Sequence, residues 1–138
     1  MTNTGESRTV LVIDDEPHVV AYLEMLLQDA GYKTISAGDG KAGLEKVKQE
    51  MPDLICLDIT MPEESGIRFY RKLRDDPALA HIPVVVVTAV TGLGGRPEPF
   101  EKFISTRKWL PAPEGFFAKP IDKDEFIGKV NEILSAAA

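Results

Sequence analysis

The chain has 138 residues, the length of one ordinary domain, which leaves no room for a second catalytic or DNA-binding domain. Its net charge of −6 at pH 7 has the wrong sign for neutralising phosphates, so we expect no direct binding of nucleic acid. The apolar runs are too short to span a bilayer, no signal peptide opens the chain, and the single cysteine, Cys56, excludes an internal disulfide. We therefore predict a cytoplasmic globular protein without a membrane partner.

Five short apolar runs are the predicted strands. They alternate with longer amphipathic stretches, the pattern of a parallel sheet with helices on both faces. The runs cover residues 9–13, 34–36, 54–57, 84–87 and 116–118. The sequence therefore predicts an α/β fold with a single, doubly wound, five-stranded parallel sheet.

The stretches between the strands are the predicted helices. Pro17 is placed to open the first helix and Gly31 to close it. The last helix is predicted to start at Asp122, with Glu125 three positions on as in a capping box. Residues 1–7 and 136–138 are predicted to be flexible ends around one domain of residues 8–135. Apolar residues at helical spacing mark the second and third helices: Ala42, Leu44 and Val47, then Ile67, Phe69, Tyr70 and Leu73.

Polar residues end four of the five strands, where ligands bind in sheets of this kind. Converging carboxylates repel one another unless a cation lies among them, and hard oxygen ligands that leave room for water and phosphate suit Mg²⁺. Any one of these acids alone could be a helix cap or a loop residue. Together they predict a Mg²⁺ site beside a lysine. The residues are Asp14, Asp15 and Glu16 after the first strand, Asp58 after the third, Thr88 after the fourth, and Lys119 and Pro120 after the fifth.

Such a site favours phosphoryl transfer to an aspartate. A carboxylate is a weak nucleophile toward phosphorus, so it needs in-line positioning and neutralisation of the equatorial oxygens. Mg²⁺ and Lys119 can neutralise them from two sides, and the Thr88 hydroxyl can bond the third oxygen together with backbone N–H groups of the loop after it. Asp58 has no second carboxylate partner suited to acid–base work. We therefore expect an acyl phosphate on Asp58 that water later hydrolyses, which makes a switch and not an enzyme acting on other substrates.

Four motifs in combination resemble the receiver domain of bacterial response regulators. They are Val12-Ile13-Asp14-Asp15-Glu16-Pro17, Asp58-Ile59-Thr60-Met61-Pro62 with Gly66 further on, Val87-Thr88-Ala89, and Lys119-Pro120. The resemblance covers about residues 8–135. It implies the CheY-like, flavodoxin-like fold with strand order 2-1-3-4-5 and about five helices.

The resemblance also implies a role for each matching residue. Asp58 becomes the phosphoacceptor, and Mg²⁺ is bound directly by Asp15, Asp58 and the backbone carbonyl of Thr60. Asp14 acts on the ion through water. In this family Mg²⁺ is the only cofactor implied.

Further implied roles concern the phosphate and the switch. Thr88, in the motif that ends at Ala89, becomes the switch hydroxyl, and Lys119 binds the phosphate ahead of a cis bond to Pro120. Phe116 holds the aromatic switch position, without the tyrosine hydroxyl often found there. An alternative is that Phe116 is simply a core residue.

The connection between the fourth and fifth strands departs from the family. One helix, two loops and the start of the fifth strand would fill roughly twenty positions, and this segment is longer. The glycine- and proline-rich residues 92–99 should start no helix before Glu98. We expect an irregular, extended segment with a shifted helix that forms a docking surface for a partner, although the role of residues 89–114 stays open. Trp109 is either an interface anchor there or a residue folded onto the core edge.

The expected partners follow from the same resemblance. A sensor histidine kinase or a histidine phosphotransfer protein would supply the phosphoryl group. If the natural chain ends at Ala138, a separate effector protein must respond, because no effector domain is then attached. Homodimerisation on phosphorylation stays open. One alternative is a degenerate receiver that binds proteins without phosphorylation, which the competent side chains at all site positions disfavour. Another is a phosphohydrolase, which would want an acid two residues after Asp58, where Thr60 stands.

Overall fold

One parallel sheet of five strands forms the centre of the molecule. The computed structural model describes residues 8–58, 65–88, 113–118 and 121–137. The strands are β1 (Thr9–Ile13), β2 (Lys33–Ala37), β3 (Leu54–Asp58), β4 (Val84–Thr88) and β5 (Gly115–Ala118), in the order β2-β1-β3-β4-β5. This confirms the predicted fold class and strand order. Within the described residues, no helix has the length and apolar character needed to cross a membrane.

Four helices lie in the described part of the chain: α1 (Pro17–Asp29), α2 (Gly40–Glu50), α3 (Ser65–Asp75) and α4 (Lys123–Ala137). About five were predicted, and the remaining one, expected after Glu98, falls outside the described residues. Helix α4 continues to Ala137, beyond the predicted domain end at residue 135. The predicted extended segment 89–114 is described only from residue 113 onward.

The helix ends follow the local sequence signals. Pro17 occupies the first turn of α1, where its missing N–H costs no hydrogen bond. Gly31 has φ +97°, and the Tyr32 N–H after it donates to the Leu27 carbonyl at 3.0 Å, which closes the helix as predicted. Asp122 accepts the Glu125 N–H at 3.0 Å, so the predicted start of the last helix is confirmed.

The two faces of the sheet carry separate hydrophobic cores, because successive strand residues point to opposite faces. Ile13 and Leu57 pack under α2 and α3, whereas Val12 and Cys56 pack under α1 and α4. The Cys56 side chain is 1% exposed, and burial raises the pKa of its thiol to about 12. Cys56 is therefore a small, buried residue of the core.

An ion pair between a buried arginine and a partly exposed glutamate ties the elements together where β4 and β5 begin. The Arg74 guanidinium on α3 donates to the Ala80 and Ile82 carbonyls at 2.9 and 2.8 Å and to Glu114 Oε1 at 2.9 Å. The same Glu114 oxygen accepts the Val84 N–H at 2.8 Å. Side-chain exposure is 3% for Arg74 and 40% for Glu114. The pair therefore fixes the start of β5 against α3 and β4.

Tyr70 completes this group, which we call the arginine cluster (Arg74, Glu114 and Tyr70). The Arg74 guanidinium carbon lies 4.9 Å from the centre of the Tyr70 ring, within range of a cation–π interaction. Burial raises the pKa of Tyr70, and the hydrogen bond with Arg74 opposes this shift. The cluster therefore combines charge pairing with a fully buried aromatic ring.

Candidate functional site

The register of the sheet brings the ends of its central strands together. Ile13 of β1 pairs with Leu57 of β3, so Asp14, the next residue, follows directly beside Asp58 at the end of β3. On the other side of β3, Asp58 pairs with Val87 of β4. Polar residues that are distant in the sequence thus meet at one edge, the edge formed by the carboxyl ends of the strands.

Three carboxylates form the candidate metal site at this edge. One oxygen from each of Asp14, Asp15 and Asp58 lies within 4.8 Å of the oxygens of the other two. Asp14 and Asp58 are 3% and 2% exposed, whereas Asp15 is exposed to solvent. We call these residues the acid cluster. It has two buried carboxylates and one that opens to solvent.

The backbone holds the Asp14 end of the acid cluster from two directions. The Asp14 N–H donates to the Ala37 carbonyl at the end of β2, at 3.2 Å. The Asp14 Oδ1 atom accepts the Glu16 N–H at 2.9 Å, which folds the chain into the turn that leads to Pro17. These bonds orient the Asp14 carboxylate before any ion binds.

The chemistry of these ligands fits a hard divalent cation. At 4 Å, two like charges repel by about 1 kcal/mol in water and by about 4 kcal/mol at the effective dielectric constant typical of a protein surface. A cation bound between the three carboxylates relieves that repulsion. Carboxylate oxygens are the ligands of Mg²⁺ and Ca²⁺, and this cluster contains neither the imidazole nor the thiolate that zinc favours. In the ranges that the structure describes, it is the only such group of acidic, histidine or cysteine side chains.

The remaining predicted site residues are described in part. Phe116 lies in β5, half-buried, and packs against the core beneath α2 and α3. The Thr88 backbone ends β4, in register with Ala118 of β5. The Thr88 side chain lies outside the described part of the chain, as do Thr60, Ala89, Lys119 and Pro120. The structure thus brings three predicted residues together, and the predicted roles of the others stay predictions.

One contact at the site was not predicted from the sequence. The Ala37 carbonyl holds the Asp14 amide, but every residue carries such a carbonyl, so the residue type contains no signal. Only the pairing of β1 with β2, in which Ile13 lies opposite Ala37, could have identified it.

Comparisons with known proteins agree with this geometry. The family model described as the response regulator receiver domain matches residues 10–98. Response regulator PleD of Caulobacter vibrioides is 36% identical over 127 residues, which is 92% of this chain and 26% of PleD. This chain therefore spans about a quarter of the length of PleD. Protein Rrf1 of Nitratidesulfovibrio vulgaris is 38% identical over 129 residues, which is 94% of this chain and 84% of Rrf1.

A solved structure has the same arrangement of strands and helices. The crystal structure of a putative response regulator from Chloroflexus aurantiacus superposes with a TM-score of 0.79 and 25% sequence identity. The match covers 94% of this chain and 99% of that one. The similarity therefore extends over nearly the whole length of both chains.

Proposed function

Because the chain belongs to the response regulator receiver domain family, we propose that it is a cytoplasmic phosphoacceptor that takes a phosphoryl group on Asp58. One observation supports this most directly: Asp58 ends the central strand β3 and lies within 4.8 Å of two further carboxylates. A carboxylate in that position is a nucleophile placed beside a cation site. The further proposal is that the cation is Mg²⁺, bound by Asp15, Asp58 and the Thr60 carbonyl, with Asp14 acting through water.

The proposed reaction is an in-line displacement at phosphorus. A carboxylate oxygen of Asp58 forms the new P–O bond while the P–N bond of a phosphohistidine donor breaks, and the imidazole leaves with the bonding electron pair. Mg²⁺ neutralises the phosphoryl oxygens when it is bound. Lys119 and the Thr88 hydroxyl are proposed to contact the other oxygens, by their positions in the family motifs. Water later cleaves the acyl phosphate and restores the Asp58 carboxylate and inorganic phosphate.

The proposed response is a change in packing near β5. Thr88 would move toward the phosphoryl group, and Phe116 would follow it. The half-buried position of Phe116 against the core supports this, because a ring that is partly open to solvent is not enclosed by packed neighbours on every side. A shift between two such states requires only a few kcal/mol of differential stabilisation.

The proposed partners are those of a two-component system. A sensor histidine kinase or a histidine phosphotransfer protein would donate the phosphoryl group, and a separate effector protein would bind the changed surface. Rrf1 is matched over 84% of its length, so a receiver unit accounts for most of that relative. We propose the same stand-alone arrangement here, with homodimerisation on phosphorylation as a further proposal that analytical ultracentrifugation can test.

The direct test is the intact mass of the protein after incubation with acetyl phosphate and MgCl₂. We expect one labile phosphoryl adduct per chain, absent in the Asp58→Asn variant and absent when EDTA replaces MgCl₂. The matched control is Asp29→Asn, which removes a carboxylate from the exposed end of α1 and should keep the adduct.

Each contrary result identifies a different alternative. If the wild-type protein binds Mg²⁺ but forms no adduct, the chain is a protein-binding module that works without phosphorylation. If it releases many phosphate ions per chain from a phosphorylated substrate, the chain is a phosphohydrolase. An adduct that persists in Asp58→Asn would show that the phosphoacceptor is another residue.

A further inference from the structure

Helix α2 packs closely against the end of β1 because residue 43 has no side chain. A methyl group on Gly43 would lie 2.5 Å from Cδ1 and 3.1 Å from Cγ1 of Ile13, and 3.5 Å from Cε1 of Phe69. The atom nearest to that methyl group is Cδ1, the far end of the Ile13 side chain, and Ile13 and Phe69 are 0% and 2% exposed. A closely packed core leaves a displaced Ile13 side chain little room, so we expect part of the shift to pass to the end of β1 or to helix α2.

Displacement of the strand end acts directly on the acid cluster. Ile13 is the last residue of β1 and is covalently joined to Asp14. It pairs with Leu57, which precedes Asp58 on β3. A shift of Ile13 relative to Leu57 therefore changes the separation between the Asp14 and Asp58 carboxylates.

Displacement of helix α2 would also move Asp14, through the backbone that joins β2 to α2. The Gly43 N–H donates to the Asp39 carbonyl at 2.9 Å, and the Asp39 side chain caps α2 by accepting the Ala42 N–H at 2.8 Å. Two residues earlier, the Ala37 carbonyl accepts the Asp14 N–H. If α2 moves away from the sheet, the connection from Ala37 to Asp39 moves with it and pulls on the Asp14 backbone.

We propose that Gly43 is a positioning residue for the metal site: the close approach of α2 at Gly43 sets the placement of Asp14 and Asp15 relative to Asp58. Gly43 touches neither the ion nor the phosphoryl group and acts through Ile13 and the Ala37 carbonyl. This inference rests on the proposed Mg²⁺ site. It extends that proposal by assigning the geometry of the site to a glycine on a neighbouring helix.

The test measures Mg²⁺ affinity by isothermal titration calorimetry in three variants. We expect Gly43→Ala to weaken binding about tenfold, as changes in the residues that orient metal ligands do. Adding Ile13→Val should restore most of the affinity, because it deletes Cδ1, the atom nearest to the new methyl group, and returns the packed volume to its original value. The control is Gly128→Ala in α4, where a methyl group meets no atom within 4 Å, and it should leave the affinity unchanged.

Several results would overturn the inference. Wild-type affinity in a less stable Gly43→Ala variant would mean that Gly43 serves packing alone, and so would a failure of Ile13→Val to restore binding. If Gly43→Ala is unfolded without a cation, the MgCl₂ concentration at which it folds provides the same comparison, and folding that MgCl₂ cannot restore counts against the inference. A wild-type protein that binds no Mg²⁺ would instead remove the proposed metal site itself.

Discussion

The charged groups at the two ends of the strands are arranged in opposite ways. At the edge formed by the carboxyl ends of the strands, the acid cluster gathers three like charges, two of them almost fully buried. At the opposite edge, the arginine cluster pairs a buried guanidinium with a carboxylate and two backbone carbonyls. Like charges held together raise the energy of the folded protein until a cation binds, whereas the compensated pair needs no ligand. The stabilising ion pair and the proposed cation site therefore lie at opposite ends of the strands.

Arg74→Met should produce the largest effect, at the compensated edge. We expect the free energy of unfolding to fall by about 3 kcal/mol, because three hydrogen bonds are lost and the half-exposed Glu114 carboxylate loses its counter-charge. Mg²⁺ affinity should not change. Urea unfolding and calorimetry on the same samples provide both values.

The matched control for this change is Arg71→Met, an exposed arginine on the same helix, which should alter stability by about 0.5 kcal/mol or less. An equal loss in both variants would show that the arginine cluster contributes nothing specific. A parallel loss of Mg²⁺ affinity in Arg74→Met would show that the two edges are coupled.

Cys56, in the middle of β3, makes stability depend on pH without involving either edge. Its thiol pKa rises from 9.0 to about 12 in the folded protein, so the folded state holds this proton more tightly than the unfolded state does. The resulting stability is present below about pH 9 and is lost as the pH rises toward about 12. Between about pH 9 and pH 11 we expect the wild type to lose about 2 kcal/mol more than Cys56→Ala, measured by urea unfolding. Equal slopes in the two proteins would contradict this assignment.

Asp58→Asn should relieve the repulsion between the carboxylates of the acid cluster. Without Mg²⁺ we expect the variant to be more stable than the wild type by about 2 kcal/mol or more, because two repulsions disappear and each is worth at least the value of about 1 kcal/mol that applies in water. MgCl₂ at a hundredfold excess over Kd should stabilise the wild type by about 2.7 kcal/mol and the variant by much less. Thermal unfolding with and without MgCl₂ measures both effects. A wild type that MgCl₂ leaves unchanged would refute the cation site.

Met51→Gly should have the smallest effect on the free energy of unfolding. Met51 lies shortly before the start of β3, at the amino ends of the strands. Met51 ends α2 with φ 46°, a left-handed conformation that costs a residue with a side chain about 1 kcal/mol or more. Met51 is 47% exposed, so glycine there should stabilise the protein by about 0.5 kcal/mol, as urea unfolding would show. The control is Met25→Gly, equally exposed but inside α1, which should destabilise it by about 1 kcal/mol.

The sequence predicted the acid cluster at the carboxyl ends of the strands far better than the arginine cluster at their amino ends. Asp14, Asp15 and Asp58 were predicted to meet because parallel strands deliver their last residues to one edge. Asp14 and Asp58 directly follow apolar runs, and Asp15 is the next residue after Asp14. No comparable rule identifies Arg74 and Glu114, which are 40 residues apart and belong to different elements. Gly43 was also missed, because a glycine in a helix does not reveal which side chain lies opposite.

The sequence by itself determined the alternation of strands and helices, the places where helices begin and end, and the acids that follow the strands. Each of these depends on local periodicity, on capping residues and on chain direction, which neighbouring residues encode. Only the tertiary structure decided the distances within the acid cluster, the pairing of Arg74 with Glu114 and the close approach of α2 at Gly43. These depend on how distant elements pack, and packing is set by shape and hydrogen bonding across the whole core rather than by any local pattern.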